Sequence, residues 1–145
     1  MYFEQFEIGQ RFTLDAVLIT AEEIDEFARK YDPQPIHIDS EFAENGPFKG
    51  IIASGLHTAS VIWNKWVQSN RFSTEILGGT GLDHLQWPAP VRPGDRLYTE
   101  VEVVGQKRSS SGKRGLLTLQ FTASNQDDTV VLKMQCNAFL KTMPQ

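Results

Sequence analysis

An aspartate and a histidine stand five residues apart in a segment that two prolines make rigid, residues 31–37 (YDPQPIH). An α-helix would turn two side chains at this spacing away from each other, whereas a rigid extended turn can direct both to one point. A carboxylate and an imidazole can together hold a water and move its protons near neutral pH. The alternative is that Asp32 caps a helix end or the turn and that His37 hydrogen-bonds a carbonyl of the loop.

A second segment that could take part in catalysis is Ala53-Ser54-Gly55, which stands where a long apolar helix is expected to begin. Free N–H groups and the positive end of the helix dipole gather at such a point. Because glycine has no Cβ, a carbonyl oxygen can approach the backbone there, which suits an oxyanion site. The alternative is that Ser54 is an ordinary N-cap and Gly55 a packing residue.

The elements that must position these residues begin with a helix. Thr20 and Glu23 form a capping-box pattern, and apolar residues then recur at helical spacing as far as Tyr31. The helix must stop at Asp32, which precedes Pro33. A short helix is expected from position 39 or 40 to 45–46.

The long helix is expected within residues 50–67, a segment with one charge, Lys65, and no carboxylate. A helix that is apolar on nearly every side is a buried helix. Small residues crowd the first half of this segment, so another backbone or a ligand could approach it closely.

The second half of the chain consists of strands. Apolar and polar residues alternate at 97–104, 117–123 and 130–140, which is the period of a strand with one buried face. Further strands are expected at 78–87 and 11–19, with hairpin turns at 109–115 and 125–128. The pattern predicts an α+β fold, one antiparallel sheet wrapped around one buried helix, in a single domain over residues 1–145.

Composition argues against several classes of protein. The net charge of −4 argues against a nucleic-acid partner, and no apolar run of about 18 residues could span a membrane. The first residues do not form a signal peptide, so a cytoplasmic location is expected. The single cysteine, Cys136, excludes an internal disulfide and falls in an alternating run, which favours a buried inert thiol. Three scattered histidines give no metal site.

Residues 27–39 resemble the hydratase signature of MaoC-like proteins, which include R-specific enoyl-CoA hydratases and acyl dehydratases. Residues 48–60 are similar to the segment that leads into the central helix of the family's hot-dog fold. Residues 85–95 (LQWPAPVRPGD) are similar to its later "F-x-x-P-V-x-x-G-D" turn. The resemblance spans roughly Phe3 to Lys141, and its first motif is the most specific. It implies a hot-dog fold.

The resemblance implies a role for four residues of the site. Asp32 and His37 match the catalytic pair, and Gly55 matches the glycine whose N–H holds the thioester carbonyl. Ser54 is expected beside that oxyanion site, and Ser60 matches a helix serine that lines the site in some members. The family usually has Asn at the position of Gln34, and this difference spares both catalytic groups. It often has His at the position of Ser54, and because this difference alters the first turn of the helix, the identity of the acyl group stays open.

The other polar candidates have simpler interpretations. Asp83 and His84 are neighbours on an expected strand, so only one could enter a pocket, and a solvated or structural role is expected for both. His57 is expected in the core or an interface. Basic residues could meet coenzyme A phosphates, but solvated surface charge is the simpler expectation for each of them: Arg92, Arg96, Lys107 and Arg108.

The expected activity is the interconversion of 2-enoyl and 3-hydroxyacyl thioesters. The expected ligand is a small acyl thioester, in which coenzyme A or an acyl carrier belongs to the substrate and no cofactor or metal is needed. A homodimer or higher homo-oligomer is expected because an open sheet leaves its edges unpaired. Two alternatives remain, a hot-dog acyl thioesterase and a non-catalytic acyl-thioester-binding subunit. Hot-dog thioesterases often carry a catalytic carboxylate on or near the central helix, and residues 50–70 contain none.

Overall fold

The computed structural model describes all 145 residues. Four helices and six strands are joined by short loops, with single 3-10 turns at Phe3–Gln5 and Ser73–Glu75. In chain order the elements are β1 (Arg11–Thr13), β2 (Val17–Leu18), α1 (Ala21–Tyr31), α2 (Pro35–Ile38), α3 (Ser40–Glu44), α4 (Gly55–Gln68), β3 (Ile76–Gln86), β4 (Arg96–Arg108), β5 (Arg114–Ser124) and β6 (Val130–Lys141).

The strands form one antiparallel sheet in the order β1-β4-β5-β6-β3, and β2 pairs with the start of β4. The long strands β4, β5 and β6 alternate buried and half-buried or exposed residues along most of their length, as the period of two predicts. β3 is an edge strand that pairs only with β6, and its register shifts at three places. These irregularities bend the strand.

The core lies between the sheet and α4. Trp66 of α4 is fully buried and meets Phe121 of β5 and Phe12 of β1 at ring-centroid distances of 6.0 and 5.6 Å. A buried side chain of this size stabilises the fold mainly through the apolar area that it removes from water. The expected arrangement, a sheet wrapped around a central helix, is confirmed, and α4 keeps one exposed face that includes Leu56, Ser60 and Val67.

Two local expectations need correction. The single N-terminal strand at 11–19 is two short strands: Leu14 N–H still donates to Thr99 O at 3.0 Å, but residues 14–16 belong to neither strand. The segment around Asp32 is extended only as far as Gln34, and Pro35 then begins the helical turn α2. The reason is that proline is preorganised for the first position of a helix, where its missing N–H costs nothing. The second proline therefore places His37 on a helical turn.

Candidate active site

The Asp32/His37 segment and the start of α4 line one cavity of about 490 Å³. Its polar side chains include Asp32, Gln34, His37 and Thr58, and it is also lined by Gly55, the first residue of α4. The remaining wall is mainly apolar and includes Phe48, Ile52, Ala53, Leu56, Trp87 and Val91. A mostly apolar cleft with a few convergent polar groups is the usual form of a small-molecule site.

Both carboxylate oxygens of Asp32 are held by side-chain donors. The Ser54 hydroxyl donates to Oδ2 at 2.7 Å, and the Gln34 amide donates to Oδ1 at 2.7 Å. These two hydrogen bonds, with a smaller contribution from the charge of His37, hold the pKa of Asp32 below its usual range. Asp32 is therefore an oriented, ionised carboxylate at neutral pH.

The imidazole of His37 is fixed from both sides. Its Nδ1 lies 2.6 Å from the backbone oxygen of Ile52, and because a carbonyl can only accept, Nδ1 carries a hydrogen. This leaves Nε2 facing Asp32 Oδ2 at 3.4 Å, with the side chains only 5% and 18% exposed. The carbonyl contact expected as an alternative role for His37 is therefore present, and it directs the other ring nitrogen towards the aspartate.

Gly55 begins α4, a helix of 14 residues, and its backbone N–H donates to no carbonyl or side chain. The helix dipole adds partial positive charge at this end. The space that a Cβ would take on Gly55 is occupied by the indole of Trp87, so any side chain at this position would overlap that ring. The cavity thus contains an acid, an imidazole and a free backbone donor.

The two serines expected at the site have different positions. Ser54 is fully buried and makes no side-chain cap for α4, because its hydroxyl is used on Asp32. Ser60 does not line the Asp32/His37 cavity, and its hydroxyl donates to Leu56 O at 2.8 Å. Five residues along a helix correspond to about 140° of rotation from Gly55, which turns Ser60 away from the pair.

Ser60 instead lines a second cavity of about 400 Å³ between α4 and the edge strand β3. Its other walls are mainly apolar and include Trp63, Leu82, Leu85, Met134 and Cys136. Leu56 lines both cavities, so the second adjoins the first.

The remaining polar candidates lie outside the Asp32/His37 cavity. His57 is 4% exposed and stacks on Phe27 with 4.8 Å between ring centroids, and burial lowers its pKa despite the nearby charge of Glu23. Asp83 accepts a hydrogen bond from Asn137 at 2.8 Å, and its exposed neighbour His84 has a positive φ of 54°.

Two features bear on metal binding and thiol chemistry. Cys136 is buried, and burial raises the pKa of its thiol to about 11, so the thiolate that reacts or binds metal is absent near neutrality. No three His, Cys, Asp or Glu side chains lie close enough together to hold a metal ion.

The sequence pattern did not indicate three contributions to the site. Gln34 holds Asp32, the Ile52 carbonyl holds His37, and Trp87 covers Gly55. A backbone carbonyl leaves no sequence signal. An isolated tryptophan before a proline could have drawn attention, because large aromatic residues commonly line ligand pockets.

Comparison with known proteins identifies the family. Residues 4–125 match the model of the MaoC like domain. The chain belongs to the MaoC-like family. This MaoC-like chain is 33% identical over 141 residues to the uncharacterized protein YdeM of Bacillus subtilis, covering 97% of this chain and 99% of that protein. It is also 33% identical over 122 residues to the 3-hydroxyacyl-thioester dehydratase Z of Mycobacterium tuberculosis, covering 81% and 74%.

Solved structures agree with this assignment. The crystal structure of the MaoC-like dehydratase from Rhodospirillum rubrum superposes with a TM-score of 0.92 at 34% identity, covering 100% of this chain and 99% of that one. The sheet around α4 is thus the hot-dog fold that the sequence resemblance implied. Among the helices, none combines the length and the apolar character needed to cross a membrane.

Proposed function

We propose that this MaoC-like chain catalyses the reversible addition of water to 2-enoyl thioesters, which gives 3-hydroxyacyl thioesters. The observation that carries the proposal is the Asp32/His37 pair, with Oδ2 and Nε2 3.4 Å apart on the same cavity as the free N–H of Gly55. The names of the similar dehydratases support the same reaction class.

The pair has the geometry to hold one water. Both facing atoms are acceptors when His37 is neutral, because its hydrogen is on Nδ1. A water can donate one hydrogen to each acceptor, which leaves an oxygen lone pair free for attack. The hydrogen bonds on Asp32 and on Nδ1 keep both acceptors oriented before substrate arrives.

The reaction balances on groups of this chain and the substrate. One member of the pair takes a proton from water as the water oxygen bonds to C3. The C2=C3 π electrons move towards the thioester oxygen, where the Gly55 N–H stabilises the negative charge. The protonated member then delivers hydrogen to C2, and the carbonyl re-forms.

The substrate is a small acyl thioester, and coenzyme A or an acyl carrier enters as part of it. The second cavity adjoins the first through Leu56 and is mainly apolar, which suits the hydrocarbon chain beyond C3. No metal or redox cofactor takes part in the proposed steps. A cytoplasmic location stays a prediction from the sequence.

The decisive experiment follows crotonyl-coenzyme A by its conjugated-enoyl absorbance and by a thiol reagent. We expect the absorbance to fall, a 3-hydroxyacyl product and no free thiol. Asp32→Asn should slow the reaction by at least the factor of about 10²–10⁴ that is typical of a lost general base. Thiol release at the rate of absorbance loss would identify a thioesterase. Inertness towards short and medium enoyl chains would indicate a binding subunit.

We also propose that the chain forms at least a homodimer. β3 has a neighbour on one side only, and large apolar side chains on it and on α4 are half exposed, among them Leu56, Leu77 and Leu82. Pairing of such a surface with a second copy covers both the open edge and the apolar side chains. Light scattering should give at least twice the mass of 16.4 kDa; a monomer at micromolar concentration would contradict this.

A further inference from the structure

Trp87 lies directly on the backbone that would receive the thioester oxygen. Its six-membered ring occupies the place of a Gly55 Cβ, and its indole lines the Asp32/His37 cavity. The side chain is nevertheless 46% exposed, so it contributes little to the core. A large aromatic side chain that is half in solvent and half on a catalytic glycine is explained better by ligand contact than by folding.

The position of the indole is built into the local chain. Trp87 follows the last residue of β3 and precedes Pro88, which restricts its backbone to extended conformations. Four residues later, Val91 O accepts a hydrogen bond from Ala53 N at 2.8 Å, two residues before Gly55. This hydrogen bond holds the loop that carries Trp87 against the segment that leads into α4. The backbone of that loop therefore fixes the position of the ring.

The substrate atoms near this ring follow from the proposed chemistry. If Gly55 N–H holds the thioester oxygen, the atoms next to Gly55 are the carbonyl carbon, the sulfur and C2. C3 lies further along, towards the water on Asp32 and His37. A rigid ring packed on Gly55 therefore restricts the space beside C2 more than the space beyond C3, where the second cavity opens.

We propose that Trp87 is a specificity-determining residue that selects 2-enoyl thioesters without a branch at C2. This inference rests on the proposed hydratase function and adds a substrate class to it. The ring of Trp87 occupies the volume that a 2-methyl group would need, while a linear acyl chain avoids it. Truncation of the ring should open this volume without removing any hydrogen bond of the Asp32/His37 pair.

The test measures kcat/KM for crotonyl-coenzyme A and for 2-methylcrotonyl-coenzyme A in wild type, Trp87→Ala and Trp87→Phe. A ratio of two substrates on one preparation is independent of the active fraction, so partial unfolding does not change it. One methyl group in a pocket is typically worth about 10–200-fold in discrimination. We expect the ratio of branched to linear substrate to rise by about tenfold or more in Trp87→Ala, with a smaller rise in Trp87→Phe.

Tyr98→Ala is the matched control, because Tyr98 is 48% exposed on β4 and does not line the cavity. It should keep the wild-type ratio. A wild type that hydrates crotonyl-coenzyme A together with an unchanged ratio in Trp87→Ala would overturn the inference and leave the hydratase proposal intact. A wild type that hydrates neither substrate would overturn both.

Discussion

Removal of the Ser54 hydroxyl tests whether the lowered pKa of Asp32 is part of the site. Ser54→Ala deletes the 2.7 Å hydrogen bond to Oδ2 and leaves Gln34 on Oδ1. Because Ser54 is fully buried, water does not readily replace the lost donor. A hydrogen bond to a charged group contributes about 1.5–3 kcal/mol, and we expect a loss of folding stability of this size at neutral pH.

The sign of the pH effect follows from the direction of the shift. The folded-state pKa of Asp32 is lowered from 3.8, with the Ser54 hydrogen bond as the largest cause. The contribution of the Asp32 carboxylate to folding stability is therefore present above pH 3.8 and is lost as the pH falls through its folded-state pKa. Ser54→Ala raises that pKa, so the stability difference between wild type and variant should narrow in acid. The acid limb of kcat/KM should move to higher pH.

Three measurements decide this prediction, and the first is the pH dependence of kcat/KM. Urea unfolding at neutral pH and well below 3.8 gives the stability difference. A double-mutant cycle of Ser54→Ala with Asp32→Ala isolates the pairwise energy, which should reach about 1.5–3 kcal/mol. A coupling energy near zero, or an acid limb that does not move when the hydroxyl is removed, would refute the assignment of Ser54 as the residue that holds Asp32 ionised.

Two further predictions concern α4. Gly55→Val should lower kcat by about 10²–10³-fold, the loss typical of a missing oxyanion donor, because the branched side chain blocks the approach of the thioester oxygen to the N–H. The circular dichroism spectrum should stay unchanged. The double variant with Trp87→Ala, which removes the overlap between the new side chain and the indole, should be as slow, and recovered activity there would mean that displacement of the ring alone caused the loss. Burial lowers the folded-state pKa of His57 from 6.5, so the folding stability that its neutral side chain provides above pH 6.5 is lost as the pH falls through the folded-state pKa. In His57→Phe this loss of stability in acid should be absent. Urea unfolding midpoints at pH values above and below 6.5 measure the change in stability, and His84→Asn, at an exposed histidine, is the control. An equal loss of stability in acid for His57→Phe and wild type would contradict the interpretation.

The parts of the fold that depend on local pattern could be predicted from the sequence. The Thr20 cap accepts from Glu23 N at 3.1 Å and begins α1 where expected, although the Glu23 carboxylate accepts from the Thr20 hydroxyl and not from its backbone. The period of two gave β4, β5 and β6 within a few residues. The break at Asp32 followed from Pro33, and the long helix expected within residues 50–67 is α4 (Gly55–Gln68).

Contacts between distant residues could not be predicted in this way. Ser54 was expected to cap α4 or to face the substrate, and its bond to Asp32 joins residues 22 apart in the chain. The cover of Gly55 by Trp87 depends on how the end of β3 passes the start of α4. The position of Ser60 is different, because helical geometry alone places it on another face from Gly55.

The shape of β3 has a consequence for solubility. Its register shifts between Ile76 and Gly78, between Gly79 and Gly81 and between Asp83 and Gln86. The open side of the strand therefore offers regular backbone only in short lengths. Fibrils grow when a flat, continuous edge templates one added strand after another. An interrupted edge can match a partner over a few residues in one register, but it does not propagate a continuous ladder. The register shifts of β3 therefore protect the folded chain from fibrillar aggregation.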